Sequence, residues 1–251
     1  MNPLDLDRVR EYVNEHIIYF HKNRAKSLED LTLSRLLRKN PYLFRAKNLT
    51  TAGELIQSLL EAFLSSSEEK HFGDFLEDLA VFVAGETCGG HKSTAQGVDL
   101  EFINGGIHYV VSVKSGPNWG NSSQQKKLAQ DLRDAVIRVR QSRVAARVEP
   151  VLGICYGKTR TSYMPAGYLK VVGQNFWYLI SENKALYTDI VEPIGHRAKE
   201  HNEAFEEERT KIANRFTGQF ISKFCDHTGA IDWVRLVEFN SGNFDLDQFM
   251  S

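Results

Sequence analysis

Apolar residues recur at helical spacing through most of the first 86 residues. Over 4–20 they fall at three- and four-residue intervals. Over 51–64 a threonine precedes an Ala-Gly-Glu-Leu-Ile-Gln-Ser-Leu-Leu-Glu-Ala-Phe-Leu run, the pattern of an amphipathic helix. A third helix is predicted over 67–84, where a serine cap and an acidic first turn precede Phe72, Phe75, Leu76, Leu79 and Val83, an i, i+3, i+4, i+7 face suited to burial. The Asn40-Pro41 step marks a break between helices.

The period then changes. Residues 98–102 and 107–114 are short β-favouring runs joined by Asn104-Gly105-Gly106, which predicts a β-hairpin. A turn-rich stretch over 115–121 leads to a serine-capped helix from about 123 to 144, and then to a buried strand over 148–156. Helices return from 175. They include a charged segment over 193–224, whose apolar heptad is not sustained as a coiled coil requires, and a short helix over 231–238. This order predicts an α/β fold, a mixed central sheet flanked by helices with helical elements at both ends. No internal repeat is evident, so residues 1–251 read as one domain: an N-terminal helical region (1–66), a core (67–172) and a C-terminal helical region (173–251).

Composition narrows the class. Hydrophobic residues at 42% and charged residues at 25% exclude a disordered or fibrous chain. The first residues carry no basic stretch followed by an apolar run, and no apolar run approaches the roughly 20 residues of a membrane span, so neither a secretory signal nor a membrane partner is expected. Cys88, Cys155 and Cys225 are odd in number and far apart, which points to a reducing, cytoplasmic setting. Cys88 with His91, and Cys225 with His227, do not repeat the spacing of a closed zinc site.

The formal net charge of −1 argues against a nucleic-acid partner only as an average. Between residues 103 and 170 there are eleven lysines and arginines against three acids, +8, which leaves −9 for the flanks. A basic middle is the footprint expected for phosphate contacts, although Arg138, Arg140, Arg143 and Arg147 also read as a solvated face.

The candidate chemistry sits in the hairpin. Alternation puts Asp99 and Glu101 on one face and Val98, Leu100 and Phe102 on the other. With residue i opposite either 209 − i or 211 − i, Ser112 and Lys114 join Asp99 and Glu101. An ordinary surface ion pair is the simpler account. Against it stand the aliphatic far face, the polar glycine-containing loop after Lys114, and a helix start beyond that loop able to hold a phosphate. A carboxylate for a hard divalent cation, a lysine and a phosphate-accepting helix start are the parts for hydrolysing a phosphodiester, with magnesium as the cofactor.

Asp99, followed across the hairpin by Ser112-Val113-Lys114, resembles the PD-(D/E)XK nuclease signature, with valine in place of its proline and serine in place of its second acid. Longer tracts at 40–47, 65–77, 114–124 and 171–177 are similar to the PmeII-type group of type II restriction endonucleases. The resemblance implies a homodimeric, magnesium-dependent nuclease with a restriction-endonuclease-like core, cutting both strands of a short palindromic duplex DNA site to leave 5′-phosphates. A cognate DNA methyltransferase would be its genetic partner. Asp99 carries over as the metal-binding aspartate and Lys114 as the catalytic lysine. The missing acid falls first to Glu77, on the helix before the hairpin, then to Glu101, and last to Asp131 or Asp134.

Candidates for DNA contact are Ser115, Asn118, Trp119 and Asn121 in the loop after Lys114, with Lys158 and Arg160 after the third strand; Trp119 also reads as packing for its loop. Dimer contacts are expected from the terminal helices, because cutting both strands of a palindrome calls for a two-fold axis. Two alternatives stay open: a repair or recombination nuclease without sequence preference, and a catalytically inactive DNA-binding protein, for which Ser112 speaks.

Overall fold

The computed structural model describes residues 1–142 and 147–250. Four helices come first: α1 (Leu6–Glu29), α2 (Leu33–Leu36), α3 (Pro41–Ala46) and α4 (Ala52–Cys88). Then follow β1 (His91–Lys92), the hairpin β2 (Leu100–Asn104) and β3 (Ile107–Lys114), helix α5 (Ser122–Gln141), and strands β4 (Arg147–Ile154), β5 (Ser162–Tyr163) and β6 (Leu169–Val172). The described chain closes with α6 (Gln174–Ser181), α7 (Leu186–Asp189), α8 (Val191–Ile194), α9 (Ala198–Phe224), α10 (Trp233–Ser241) and α11 (Asp247–Met250). No helix among the described residues is long and apolar enough to cross a membrane.

Two compact units divide the chain, one formed by residues 1–20 and 70–196, the other by 21–69 and 197–251. The helical region expected over 1–66 contributes to both. The first unit holds the sheet, six strands in the order β1-β2-β3-β4-β6-β5. Its β1-β2-β3 and β6-β5 pairings are antiparallel, whereas β3-β4 and β4-β6 are parallel, so the sheet is mixed and open and the fold is α/β, as expected. Parallel pairing of β3 with β4 requires a crossover, which α5 supplies.

Strand alternation sorts the sheet's side chains into two buried layers. Leu100, Phe102, Val111, Val113, Val151 and Val171 pack with Val9, Val13 and Ile17 of α1, Leu76, Leu79 and Val83 of α4, and Phe176 and Trp177 of α6. On the other side Val110, Val148, Leu152, Ile154 and Val172 pack with Leu128, Ala129, Leu132, Ala135 and Val139 of α5. Gly153 is required where it stands, because a Cβ there would run into the Phe176 ring. The second unit has its own helical core, in which Leu55, Ile56, Leu59 and Leu60 of α4 meet Ile212, Phe216 and Phe220 of α9.

Several boundaries differ from the expected ones for identifiable reasons. The helices predicted over 51–64 and 67–84 are one helix, α4. Ser65, Ser66 and Ser67 contain no helix breaker, and the Ser66 hydroxyl donates to the Ala62 carbonyl at 3.0 Å instead of capping a new helix. The cap of α5 is Asn121, whose side chain accepts from the Ser123 and Gln124 amides while Gln124 reaches back to the Asn121 amide, a capping box two residues before the expected start at about 123. Arg143 and the last turn expected through Val144 lie outside the described residues. The first helix runs on to Glu29, and the charged segment expected as one helix over 193–224 is interrupted at residues 195–197, between α8 and α9.

Candidate active site

The hairpin closes with Leu100 opposite Val111 and Asn104 opposite Ile107, the register in which paired numbers sum to 211. At Asp99 the ladder slips. Its amide donates to the Val111 carbonyl at 2.9 Å, one residue out of step with the pairing of Leu100 to Val111, an offset of the kind a β-bulge makes. A one-residue slip turns every side chain beyond it to the other face. Val98 accordingly packs with Val110, Leu128 and Leu132 in the α5 layer, and not with Leu100 and Phe102. The expected grouping of Asp99 with Glu101 on one face is therefore corrected: alternation assumes an unbroken register, and the register breaks between them.

Asp99 turns instead toward the end of β3. Its Oδ2 accepts from the Val113 amide at 2.6 Å and from the Ser112 hydroxyl at 3.2 Å, and the Lys114 ammonium stands 3.6 Å away. The same ammonium donates to the Val113 carbonyl at 2.8 Å. Asp99 is 19% exposed and Lys114 31%, so both are held by the fold yet open to solvent. Ser112 is 1% exposed and serves to orient Asp99.

Glu77 joins this pair from α4. A Cβ at Gly73 would lie 3.6 Å from the Ser115 side chain, so α4 passes close to the residue after Lys114, and Glu77 is one turn further along the same helix face. Burial and then the Asp99 charge push the Glu77 carboxyl above the usual range, against the pull of Lys92 and Lys114. Lys92 of β1, which the sequence reading missed, places its ammonium 3.4 Å from Glu77 Oε1 and 3.3 Å from Asp78 Oδ1.

Glu101 belongs to a different cluster. Its carboxylate, 7% exposed, accepts from the Ser93 hydroxyl at 2.5 Å, from His108 Nε2 at 2.9 Å and from Arg138 of α5. Burial alone would raise its pKa, but Ser93, Arg138 and His108 together hold the carboxyl below the usual range. Arg138 is thus tied to the sheet through Glu101, while its side chain stays on the solvated face that its other reading gave it. Of the remaining acids, Asp131 pairs with Lys127 at 3.1 Å and packs where a Cβ at Gly97 would stand, and Asp134 accepts from Gln130 at 2.8 Å.

Magnesium takes hard oxygen ligands, few from protein and several from water. The donors here fit it, since Asp99 Oδ2 and the Val113 carbonyl already converge on a cation, the Lys114 ammonium, with the Glu77 carboxylate alongside. Among the described residues no group of three or more His, Cys, Asp or Glu gathers as in a closed all-protein metal site.

Around this cluster Asn118 is exposed, Ser115 and Trp119 are half-buried, and Trp119 packs against the α5 layer. Asn121 is engaged in its cap, and Lys158 and Arg160 are exposed on the segment between β4 and β5.

The sequence matches the family model for Type II restriction endonuclease EcoO109I over residues 7–202, most of the chain and all of the cluster just described. The chain belongs to that family. Its class is therefore that of a type II restriction endonuclease, a nuclease and hydrolase that acts on DNA. No curated protein sequence matches this EcoO109I-family chain.

Proposed function

We propose that this family member is a magnesium-dependent, site-specific deoxyribonuclease of the PD-(D/E)XK superfamily and the PmeII type. It works as a homodimer on a short palindromic duplex site, cuts both strands to leave 5′-phosphates, and is accompanied by a cognate DNA methyltransferase. The carrying observation is the ion pair of Asp99 with Lys114 at the end of the hairpin, with Glu77 of α4 near enough for its carboxyl to feel both charges. A bound magnesium ion would lower the pKa of a water and offset negative charge as the phosphorus becomes five-coordinate. Asp99 and Glu77 are the residues that would hold it, since the mutual repulsion of their carboxylates would be relieved by a cation.

Lys114 supplies the second function. Its ammonium, now on the Val113 carbonyl, is within a side-chain rotation of the space in front of Asp99, where it orients the attacking water and donates to a phosphate oxygen. The water oxygen bonds to phosphorus as the bond to the 3′ oxygen breaks. The phosphate stays on the 5′ end, and the 3′ oxygen leaves as a hydroxyl after taking up a proton. Serine at 112 fits a site in which the second acid comes from α4, because a hydroxyl there holds Asp99 in place but offers no carboxylate.

Ser115, Asn118, Trp119, Asn121, Lys158 and Arg160 are the proposed DNA contacts, with Lys158 and Arg160 reaching phosphates or guanine edges. Incubation of plasmid DNA with the protein and magnesium tests the reading. Discrete fragments support it, a smear supports a general nuclease, and intact DNA with retained binding supports an inactive DNA-binding protein.

A further inference from the structure

The acidic pair meets two ammonium groups. β1 lies at the edge of the sheet with Lys92 opposite Leu100, and the Ser93 amide donates to the Asp99 carbonyl at 3.2 Å, so this edge strand is anchored to Asp99 itself. From there Lys92 reaches Glu77 and Asp78. Its side chain is 61% exposed, and an ion pair so open to water adds too little to stability to explain its place by folding alone.

Charge balance gives it a task. Without a divalent ion, Asp99 and Glu77 are matched by Lys114 and Lys92. A cation held by the two carboxylates takes over that neutralisation and repels the neighbouring ammonium groups. Lys92 then keeps Asp78 but loses Glu77 as a partner, which leaves its ammonium, on a flexible four-carbon stem, able to turn to a phosphodiester beside the site.

We infer that Lys92 is a second phosphate-binding cation of this site: it neutralises Glu77 in the free protein and turns to a non-bridging phosphate oxygen of the DNA strand being cut. The inference rests on the nuclease reading above. Its test is duplex DNA binding measured against sodium chloride in calcium buffer, for wild type, Lys92→Ala and Lys92→Arg, with magnesium-dependent cleavage rates alongside. A lost phosphate contact makes the slope of log affinity against log salt shallower by about 0.9. Lys92→Ala is expected to show that change and a cleavage rate lower by roughly ten- to a hundredfold, with the slope and most of the rate restored in Lys92→Arg. An unchanged slope in Lys92→Ala overturns the inference, whether or not the rate falls, because a lysine acting only through Glu77 makes no phosphate contact. Wild-type protein that neither binds nor cuts DNA fails the nuclease reading, and the inference with it.

Discussion

Asp99 and Glu101 are two residues apart in sequence, and the structure puts them in opposite circumstances. Glu101 is enclosed and accepts hydrogen bonds from Ser93, His108 and Arg138, which hold it ionised and join the sheet to α5. Asp99 is more open, is fixed on one oxygen by the Val113 amide and Ser112, and faces a second carboxylate whose ionisation it opposes. The first arrangement stabilises a fold. The second leaves negative charge under-compensated where a cation can reach it, as expected of a site built for a ligand. The slip of one residue at Asp99 separates the two, and without it both side chains would share the α5 face.

The comparison breaks most visibly in activity. Asp99→Asn and Lys114→Ala are each expected to lower single-turnover cleavage by at least about 10²–10⁴-fold, with little change in the thermal midpoint. Wild-type cutting by Lys114→Ala would remove it from the site. Glu101→Ala is expected to do the reverse, losing about 1–3 kcal/mol of unfolding free energy as Arg138 and His108 lose their acceptor. At about 2–4 °C per kcal/mol, differential scanning calorimetry resolves that loss. Ser112→Ala should have a smaller effect, a two- to tenfold lower cleavage rate, because the Val113 amide still holds Asp99.

The pH dependence of stability without divalent metal distinguishes the two clusters by sign. Glu101 has a depressed pKa, so it contributes stability above the unfolded value of about 4.3 and loses it as pH falls through the folded one. Glu77 has a raised pKa, so the folded protein binds its proton more tightly and stability declines as pH rises from about 4.3 through the folded value. Urea midpoints between pH 3 and 6 should therefore lose their acid-side fall in Glu101→Gln and their decline with rising pH in Glu77→Gln.

Much of this arrangement is legible in the amino-acid sequence. Asn104-Gly105-Gly106 and its flanking runs predict the hairpin, one of the two registers considered is the one observed, and the closeness of Asp99 to Lys114 follows from it. The slip at Asp99 is not legible, because alternation carries no mark of an offset; the only hint is Gly97, which lets Asp131 approach closely just before it. Lys92 escapes notice because a two-residue strand has no period to read. Strand β5, also two residues long, is hidden for the same reason, and the serine run within α4 reads equally as a cap or as helix interior.

The account turns on which glutamate completes the site. Single-turnover plasmid cleavage by Glu77→Gln and Glu101→Gln, titrated with magnesium side by side, tests it most directly. The account predicts that half-saturating magnesium rises roughly tenfold or more in Glu77→Gln, a loss of the size seen when a metal site loses a supporting group, and stays within about twofold of wild type in Glu101→Gln. The opposite order, with Glu101→Gln losing magnesium and Glu77→Gln keeping it, would contradict the account.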